Sequence, residues 1–231
     1  ERGLIVNGNN RLVSDSYPHF MTRDWPESYR ADRIEALLGN QRAATLAVMQ
    51  AAQLDTFASE AETILPVLLA RMGKGETPAE SAAVAMLTAW DKKMDRRKAE
   101  PLIYSAWLAA TWRRVVADEL GDLSESLSSP RPAVLARLLT ERTEWCDDTK
   151  TPTTEGCISQ VQRGLSDALQ SIEARLGNGP ESWRWGEVHR ARFLNQPLSR
   201  IPVLGRLFTI EVETDGGNYS VNRDTARIGG E

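Results

Sequence analysis

The apolar and polar positions of the chain follow two different periods. Between about Tyr29 and Leu176, apolar residues recur three and four positions apart, which is the spacing of one face of a helix. Near the two ends the pattern is strand-like instead, in GLIV at the start and in FTIEVET and NYSVNRD towards the finish. The pattern predicts an α+β chain that is mostly helical, with strands only at its two ends.

Several helix boundaries can be placed from the sequence. The segment TPAE at 77–80 combines a capping box with proline at the first helical position, which is a strong helix start. Gly39-Asn40 and Gly177 are stop signals, and Pro66 predicts a kink or a boundary. We therefore predict helices from Tyr29, over 43–54 and 57–72, after Thr77, after Pro101, and on either side of a loop that holds two cysteines.

Two of these helices carry bulky apolar residues at consistent spacing. The first has Ile103, Trp107, Leu108 and Trp112, and the second has Ile158, Val161, Leu165, Leu169 and Ile172. Both rows are predicted to face the core, because a helix of a globular protein buries one apolar stripe.

The two ends are predicted to meet in one sheet. Gly216-Gly217 lies between the last two strand-like segments, so it predicts a turn that joins a strand pair. The helical block would then be an insertion on this sheet or a cover over it. We expect one domain across 1–231, with a strand and a loop over 1–28, the helical block over 29–180, and a loop and strands over 181–231.

Composition excludes two classes of partner. Apolar residues make up 41% and charged residues 26% of the chain, which is ordinary for a globular protein. The net charge of -4 argues against a nucleic-acid binder, and we interpret the basic run KKMDRRK at 92–98, interrupted by Asp95, as a solvated helix face. No apolar stretch approaches the roughly 18 residues of a membrane span. We expect neither nucleic acid nor a membrane as a partner.

Cys146 and Cys157 lie in one polar loop, WCDDTKTPTTEGC. A disulfide between them would close a small ring, worth about 3 kcal/mol in loop entropy, and would place the protein in an oxidising compartment. The alternative is two unrelated thiols.

The sequence contains none of the common catalytic motifs: no Gly-x-Ser-x-Gly, no phosphate loop, no Cys-x-x-Cys and no His-Glu-x-x-His. His19 and His189 are the only histidines, and we interpret both as structural. The stretch NGNN at 7–10 is the remaining candidate, because an asparagine amide is a neutral donor suited to a developing oxyanion. The alternative is a simple turn, for which Asn and Gly are the usual residues.

The order of the short motifs resembles the penicillin acylase (penicillin amidase) family of N-terminal-nucleophile amidohydrolases. NGNN is followed by Tyr-Pro, Asp-Trp and YRADRIEALL, and LTAWDKKM is similar to the family's Leu-x-x-Trp-Asp-Gly segment, although Lys92 stands where the family has glycine. WRWGEVHRARF resembles its Trp-Gly-x-x-His-x-x-x-Phe segment, and GGNYSVNR resembles its Gly-rich turn before a Val-Asn strand. The resemblance covers nearly the whole chain in the family's order.

The resemblance implies the four-layer fold of N-terminal-nucleophile hydrolases, with this chain as an internal or C-terminal part of the large subunit. That family hydrolyses amides with a serine at the extreme N-terminus of the large subunit, whose own α-amino group acts as the base. The present chain begins with Glu1 and ends with ARIGGE, before the family's closing strands. We therefore expect the nucleophile to lie outside this chain and the chain alone to be inactive.

The resemblance also assigns roles to individual residues. The family's oxyanion asparagine corresponds to Asn9, and its active-site arginine, which supports that asparagine and the substrate region, corresponds to Arg33 of YRADRI. The family's calcium site takes a carboxylate from this region, for which Asp24 is the candidate. The calcium ion would be structural, since one Asp cannot make a site by itself, and we expect no cofactor for catalysis.

The implied function is cleavage of an acyl group from an amide of the penicillin, cephalosporin or acyl-homoserine-lactone type. The implied partners are the remainder of the large subunit, a small subunit from the same precursor and a small-molecule amide substrate. A periplasmic or secreted location follows, and it favours the disulfide between Cys146 and Cys157. Phenylacetyl, aliphatic, glutaryl and acyl-homoserine-lactone substrates stay open. The alternatives are a non-catalytic helical interaction domain and an inactive homologue that lacks the serine.

Overall fold

The computed structural model describes residues 3–40, 44–201 and 204–223. Within these residues the middle of the chain is helical, as predicted, and the strands lie near the C-terminal end. The helices are α1 (Tyr29–Leu38), α2 (Leu46–Gln53), α3 (Ala61–Met72), α4 (Pro78–Ala89), α5 (Glu100–Leu120), α6 (Leu123–Ser126), α7 (Pro132–Thr140) and α8 (Cys157–Leu176), and the strands are β1 (Arg190–Leu194) and β2 (Thr209–Glu213).

The local signals for the helices act as predicted. At the start of α4 the Thr77 side chain accepts a hydrogen bond from the Glu80 N–H at 3.2 Å, and the Glu80 carboxylate accepts one from the Thr77 N–H at 3.0 Å. Gly39 follows the last residue of α1 and its N–H donates to the Glu35 carbonyl. Pro66 lies inside α3 and does not end it.

The core forms where α5 packs against α8. Trp107 is fully buried, and its indole N–H donates to the Val161 carbonyl at 2.9 Å. Every residue predicted to face inward on these two helices is buried except Ile158, which is 59% exposed. That prediction was wrong because the packed face of α8 passes through Cys157, and the next residue projects about 100° away around the helix.

Replacing Gly164 with alanine is expected to lower the free energy of unfolding by about 1–3 kcal/mol. A Cβ at Gly164 would collide with the Thr111 hydroxyl and lie 3.2 Å from Thr111 Cα, so α8 would have to move away from α5. Urea unfolding of the chain, followed by circular dichroism, measures the change. Gly179→Ala is the matched control, since nothing lies within 4 Å of a Cβ there. Equal urea midpoints for the two variants would contradict the prediction.

The predicted disulfide is present and joins Cys146 to Cys157 with a Cα–Cα distance of 4.9 Å. It connects a short 3-10 helix, Thr143–Cys146, to the first residue of α8. The ring therefore spans part of the connection between α7 and α8, and both cysteines are buried.

The prediction of a strand at residues 3–6 is wrong. This segment is not in a strand, and Ile5 is 98% exposed. A β-branched sequence becomes a strand only when its backbone N–H and C=O groups pair with a neighbour. Within the described residues no strand pairs with this segment.

The predicted strand FTIEVET is present as β2, but its partner is β1 rather than NYSVNRD. The two strands are antiparallel, with Ala191 opposite Val212 and Phe193 opposite Ile210. Those four side chains share one face of the hairpin, and Phe193, Ile210 and Val212 are exposed there. The described residues hold this one two-stranded sheet, so the four-layer fold stays a prediction.

The backbone after β2 is bonded elsewhere, which is why the described residues contain no second hairpin. The Gly216 N–H donates to the Met94 carbonyl at 2.8 Å and the Asn222 N–H donates to the Asp55 carbonyl at 2.9 Å. The Ser220 hydroxyl holds the loop between them by accepting from the Gly217 N–H at 2.8 Å. Residues 218–223 therefore pack against the helical block, and the predicted end of the chain, ARIGGE, lies outside the described residues.

Candidate active site

The NGNN loop is built by two of its three asparagines. The Asn7 side chain accepts a hydrogen bond from the Asn9 N–H at 2.8 Å, and the Asn10 side chain accepts one from the Gly8 N–H at 3.1 Å. Asn9 has a φ of 66°, in the left-handed region that asparagine tolerates better than most residues. Asn7 and Asn10 therefore shape the loop, and Asn9 is the one whose side chain is left for another partner.

The loop packs directly against the first turn of α1. A Cβ on Gly8 would lie only 2.8 Å from the Ala31 backbone nitrogen and 3.2 Å from the Ala31 Cβ. Gly8 is buried for this reason, and the close approach requires glycine. The position of Asn9 is thus set by a rigid contact with a helix.

The Asn9 side chain bonds to Arg30, the second residue of α1. Arg30 Nη2 donates to Asn9 Oδ1 at 2.8 Å and also to the Gly8 carbonyl at 2.6 Å. Partial burial lowers the pKa of Arg30, and the positive charge of the nearby Arg223 lowers it further. One arginine therefore holds both the loop backbone and the Asn9 amide.

Arg33, the arginine that the resemblance assigned to the site, lies in a different network. Its Nε and Nη2 donate to the two carboxylate oxygens of Asp55 at 2.9 and 2.7 Å, and its guanidinium lies 4.6 Å from the centre of the Phe57 ring. The hydrogen bonds to Asp55 raise the pKa of Arg33. The described hydrogen bonds do not join Arg33 to Asn9.

An open cleft of about 470 Å³ lies beside Asn9, and we call it the Asn9 cleft. The residues that line it are Asn9, Asp24, Pro26, Glu27, Arg30, Ser129, Pro130, Arg131, Asn218, Tyr219 and Arg223. It is formed where the N-terminal loop, the start of α1, the residues before α7 and the loop after β2 meet. A small amide could enter this space and reach the Asn9 side chain.

Asp24, the candidate calcium ligand, lines the cleft but is paired with an arginine. Its carboxylate accepts a hydrogen bond from Arg131 at 2.7 Å, and its side chain is 76% exposed. Calcium takes six to eight oxygen ligands, and the part of the chain that the structure describes holds no group of three or more His, Cys, Asp or Glu suited to a metal. These residues alone do not fit a calcium site.

Glu27 and Tyr219 form one wall of the cleft. The Glu27 carboxylate accepts a hydrogen bond from the Ala133 N–H at 2.9 Å, in the first turn of α7, and the Tyr219 hydroxyl donates to the Pro130 carbonyl at 2.8 Å. Burial is the main cause of the raised pKa of Glu27. Burial likewise raises the pKa of Tyr219 above its usual range.

Behind this wall lies a buried carboxyl group, Glu60. The residue precedes α3 and is 4% exposed; its Oε1 lies 3.4 Å from the Tyr104 hydroxyl, and its buried Oε2 has no hydrogen-bond partner among the described residues. Burial raises the pKa of Glu60 to about 8, and the charge of Glu27 adds to the shift. The Glu60 carboxyl group is therefore held in its neutral form to a higher pH than an exposed acid.

Sequence reasoning missed Arg30, Asp55 and Glu60. Arg30 stands three residues before Arg33 in YRADR, so a helical-spacing argument could have marked it as an equal candidate. Asp55 and Glu60 carry no local signal, since their roles depend on residues 22 and 44 positions away.

Comparison with known proteins gives the class of this protein. The sequence profile of the family described as Penicillin amidase matches residues 1–230. The chain therefore belongs to the penicillin amidase family, which confirms the resemblance seen in its motifs.

Two relatives show how the chain compares with whole proteins. The acyl-homoserine lactone acylase QuiP of Pseudomonas syringae pv. tomato is 26% identical over an alignment of 240 positions, which covers 95% of this chain and 29% of the relative. The penicillin acylase 2 proenzyme of Pseudomonas sp. strain SE83 is 27% identical over 224 residues, which cover 94% of this chain and 28% of the relative. The chain thus spans less than a third of the length of these relatives.

Among the described residues no helix is both long and apolar enough to span a lipid bilayer.

Proposed function

We propose that this chain is part of an amidohydrolase that cleaves an acyl group from an amide, and that it supplies the oxyanion side of the active site through Asn9. The nucleophile is a serine outside this chain, at the N-terminus of the large subunit. The enzyme consists of the remainder of the large subunit, a small subunit and the part described above. Its location is periplasmic or secreted, where the Cys146–Cys157 disulfide is stable.

The observation that carries the proposal is that the asparagines of NGNN have different partners. The side chains of Asn7 and Asn10 accept hydrogen bonds from the loop backbone. The exposed Asn9 side chain accepts none from the loop backbone and lines the Asn9 cleft. A neutral amide held in advance at the point where negative charge develops stabilises a tetrahedral intermediate without reorganisation. A simple turn would not require Asn9 to be presented in this way.

Arg33 and Asp24 contribute less directly in this proposal. Arg33 is held by Asp55 and faces Phe57, so it supplies a fixed positive charge near the substrate region rather than a bond to Asn9. Asp24 supplies one carboxylate to a structural calcium site only if the other oxygen ligands come from outside the described residues. Its carboxylate would then have to release Arg131 in order to bind the ion.

The names of two relatives support the proposed substrate class. One kind is named an acyl-homoserine lactone acylase and another a penicillin acylase. Both names describe removal of an acyl group from an amide nitrogen, so this reaction is the one proposed here. We leave the acyl group open among phenylacetyl, glutaryl and aliphatic chains, including those of acyl-homoserine lactones.

The test is the release of a primary amine by the full-length protein that contains this chain. We expect one equivalent of amine for each equivalent of carboxylic acid from at least one substrate of a panel that holds an N-acyl-homoserine lactone, a benzylpenicillin and a glutaryl amide. The isolated 231-residue chain is expected to release none, because the proposed nucleophile is a serine outside it. Hydrolysis by the isolated chain, or no amine from any substrate with the full-length protein, would contradict the proposal.

A further inference from the structure

An asparagine amide has two edges with opposite chemistry. The Nδ2 edge donates hydrogen bonds and the Oδ1 edge accepts them. Only the Nδ2 edge stabilises an oxyanion, while the Oδ1 edge would repel it. Rotation of the amide by a half-turn therefore decides whether the side chain helps the reaction or hinders it.

The contact with Arg30 settles this orientation. A guanidinium has donors and no acceptor, so the Asn9 atom that faces Arg30 at 2.8 Å must be Oδ1. The Nδ2 group is then on the other edge of the amide. The orientation follows from the chemistry of the two groups.

We propose that Arg30 is the positioning residue for Asn9: it holds the Oδ1 edge so that the Nδ2 edge is presented to the developing oxyanion. This inference rests on the proposed function. Arg30 does not touch the reacting atoms itself. It acts through Asn9 and through the Gly8 carbonyl, which it holds at 2.6 Å.

Arg30 is better placed for this role than Arg33. Arg33 uses Nε and Nη2 on the two oxygens of Asp55, which is the bidentate pairing that arginine and carboxylate favour. Arg30 has no carboxylate partner among the described ion pairs, and its Nη2 is spent on neutral oxygens of the NGNN loop. Arg30 lies on the first turn of α1, next to the contact between Gly8 and Ala31. This position keeps the distance between its guanidinium and the NGNN loop short.

The contact between Arg30 and Asn9 Oδ1 also makes Asn9 Nδ2 a stronger hydrogen-bond donor. A cation at Oδ1 draws electron density from the amide, so the Nδ2–H bonds become more polar and better hydrogen-bond donors. The positive charge of Arg30 also lies behind the site where negative charge develops. Removing it should therefore affect the transition state more than the bound substrate.

The test uses the full-length protein and a double-mutant cycle. Arg30→Met removes the donors and keeps much of the length of the side chain. We expect kcat to fall about 10- to 100-fold, which is the effect of losing a hydrogen bond to a charged group, with little change in KM. In an Asn9→Gly background the same Arg30→Met substitution should have almost no further effect on kcat, because its target is already gone. Arg137→Met is the matched control, an arginine that is 71% exposed on α7.

The possible outcomes separate the two proposals. An Asn9→Gly variant with wild-type turnover, or a wild-type protein without turnover, overturns the proposed function and this inference together. If Asn9→Gly is slow but Arg30→Met matches Arg137→Met, the inference alone is wrong. The inference is also wrong if Arg30→Met lowers kcat by the same factor in the wild type and in the Asn9→Gly variant. It is wrong as well if the activity of Arg30→Met falls only in proportion to a lower folded fraction, measured by circular dichroism. Arg30→Lys, which keeps the positive charge on one donor nitrogen, should recover part of the kcat that Arg30→Met loses.

Discussion

Replacing Asn9 with glycine in the full-length protein is expected to lower kcat about 100- to 1000-fold, which corresponds to roughly 2.7–4 kcal/mol of lost transition-state stabilisation. The tetrahedral intermediate would lose a donor that is already in place before the charge forms. The effect should fall on kcat, because the oxyanion is present only in the transition state and in the intermediate. Steady-state kinetics with the best amide substrate measures it.

Glycine is the better substitution because of the backbone. Asn9 has a φ of 66°, and alanine in the left-handed region costs about 1–2 kcal/mol, so an alanine variant would combine strain with the loss of the donor. Glycine adopts this conformation freely. Asn9→Asp is the complementary variant, since a carboxylate would keep the bond to Arg30 and present no donor to the substrate.

Asn7→Asp is the control for Asn9→Gly. It keeps an oxygen that can accept from the Asn9 N–H, which is the bond that Asn7 makes in the loop. Turnover of this variant should stay close to that of the wild type. If Asn9→Gly retained turnover within about threefold of the wild type, or if Asn7→Asp were the more damaging change, NGNN would be only a turn.

The free energy of unfolding of the chain is expected to fall as the pH rises from about 5 to 8, because the pKa of Glu60 is raised in the folded state. Glu60→Gln should remove the part of the fall that Glu60 causes. The folded state holds Glu60 protonated up to a pKa of about 8, whereas the ordinary value is 4.5. Below pH 4.5 both states are protonated and the group adds no pH dependence. Between the two values only the unfolded state loses the proton, so stability declines with pH, and above pH 8 the decline ends.

The size of this effect is set by the difference in pKa. Each unit of difference between the folded and unfolded states is worth about 1.4 kcal/mol, so the full decline is on the order of a few kcal/mol. The groups that face Glu60 include Tyr104 on α5 and, through their charge or hydroxyl, Glu27, Tyr29 and Tyr219. Glu60→Gln keeps all four of these side chains, so the difference between variant and wild type reports the Glu60 carboxyl group together with its effect on these neighbours.

Urea unfolding at pH 5, 7 and 9 measures the prediction. The free energy of unfolding of Glu60→Gln should become larger relative to that of the wild type as the pH increases, so that the variant becomes relatively more stable. Glu62→Gln is the matched control, an exposed acid in the first turn of the same helix. A difference between Glu60→Gln and the wild type that is the same at all three pH values would show that Glu60 is ionised in the folded state.

The helices and the disulfide could be predicted from the sequence because their causes are local. The capping box at Thr77, the stop at Gly39 and the apolar row on α5 each depend on residues within a few positions of one another. The cysteines are only 11 positions apart, so their loop could be recognised as one unit. The motif order that identified the family is likewise a property of the sequence.

The strands were harder because a strand is defined by its partner. GLIV is as β-branched as many strands, yet it pairs with nothing among the described residues. RARFL has the alternation of a strand, but its tryptophan- and arginine-rich surroundings obscured the pattern, and only the folded chain shows that it pairs with residues 209–213. The hairpin expected at Gly216-Gly217 failed because distant carbonyl groups of Met94 and Asp55 bind that backbone.

The sequence by itself determined the helical block, the ring closed by the cysteines and the family, and through the family resemblance it proposed Asn9 as the candidate within a polar loop. Only the tertiary structure decided which arginine meets Asn9, which acid holds Arg33 and which carboxyl group is buried. Arg30 and Arg33 have the same side chain on one helix, and their different partners follow from what packs against each side of α1. Helix formation depends on neighbours along the chain, whereas hydrogen-bond partners and pKa values depend on neighbours in space, which the sequence brings together only through folding.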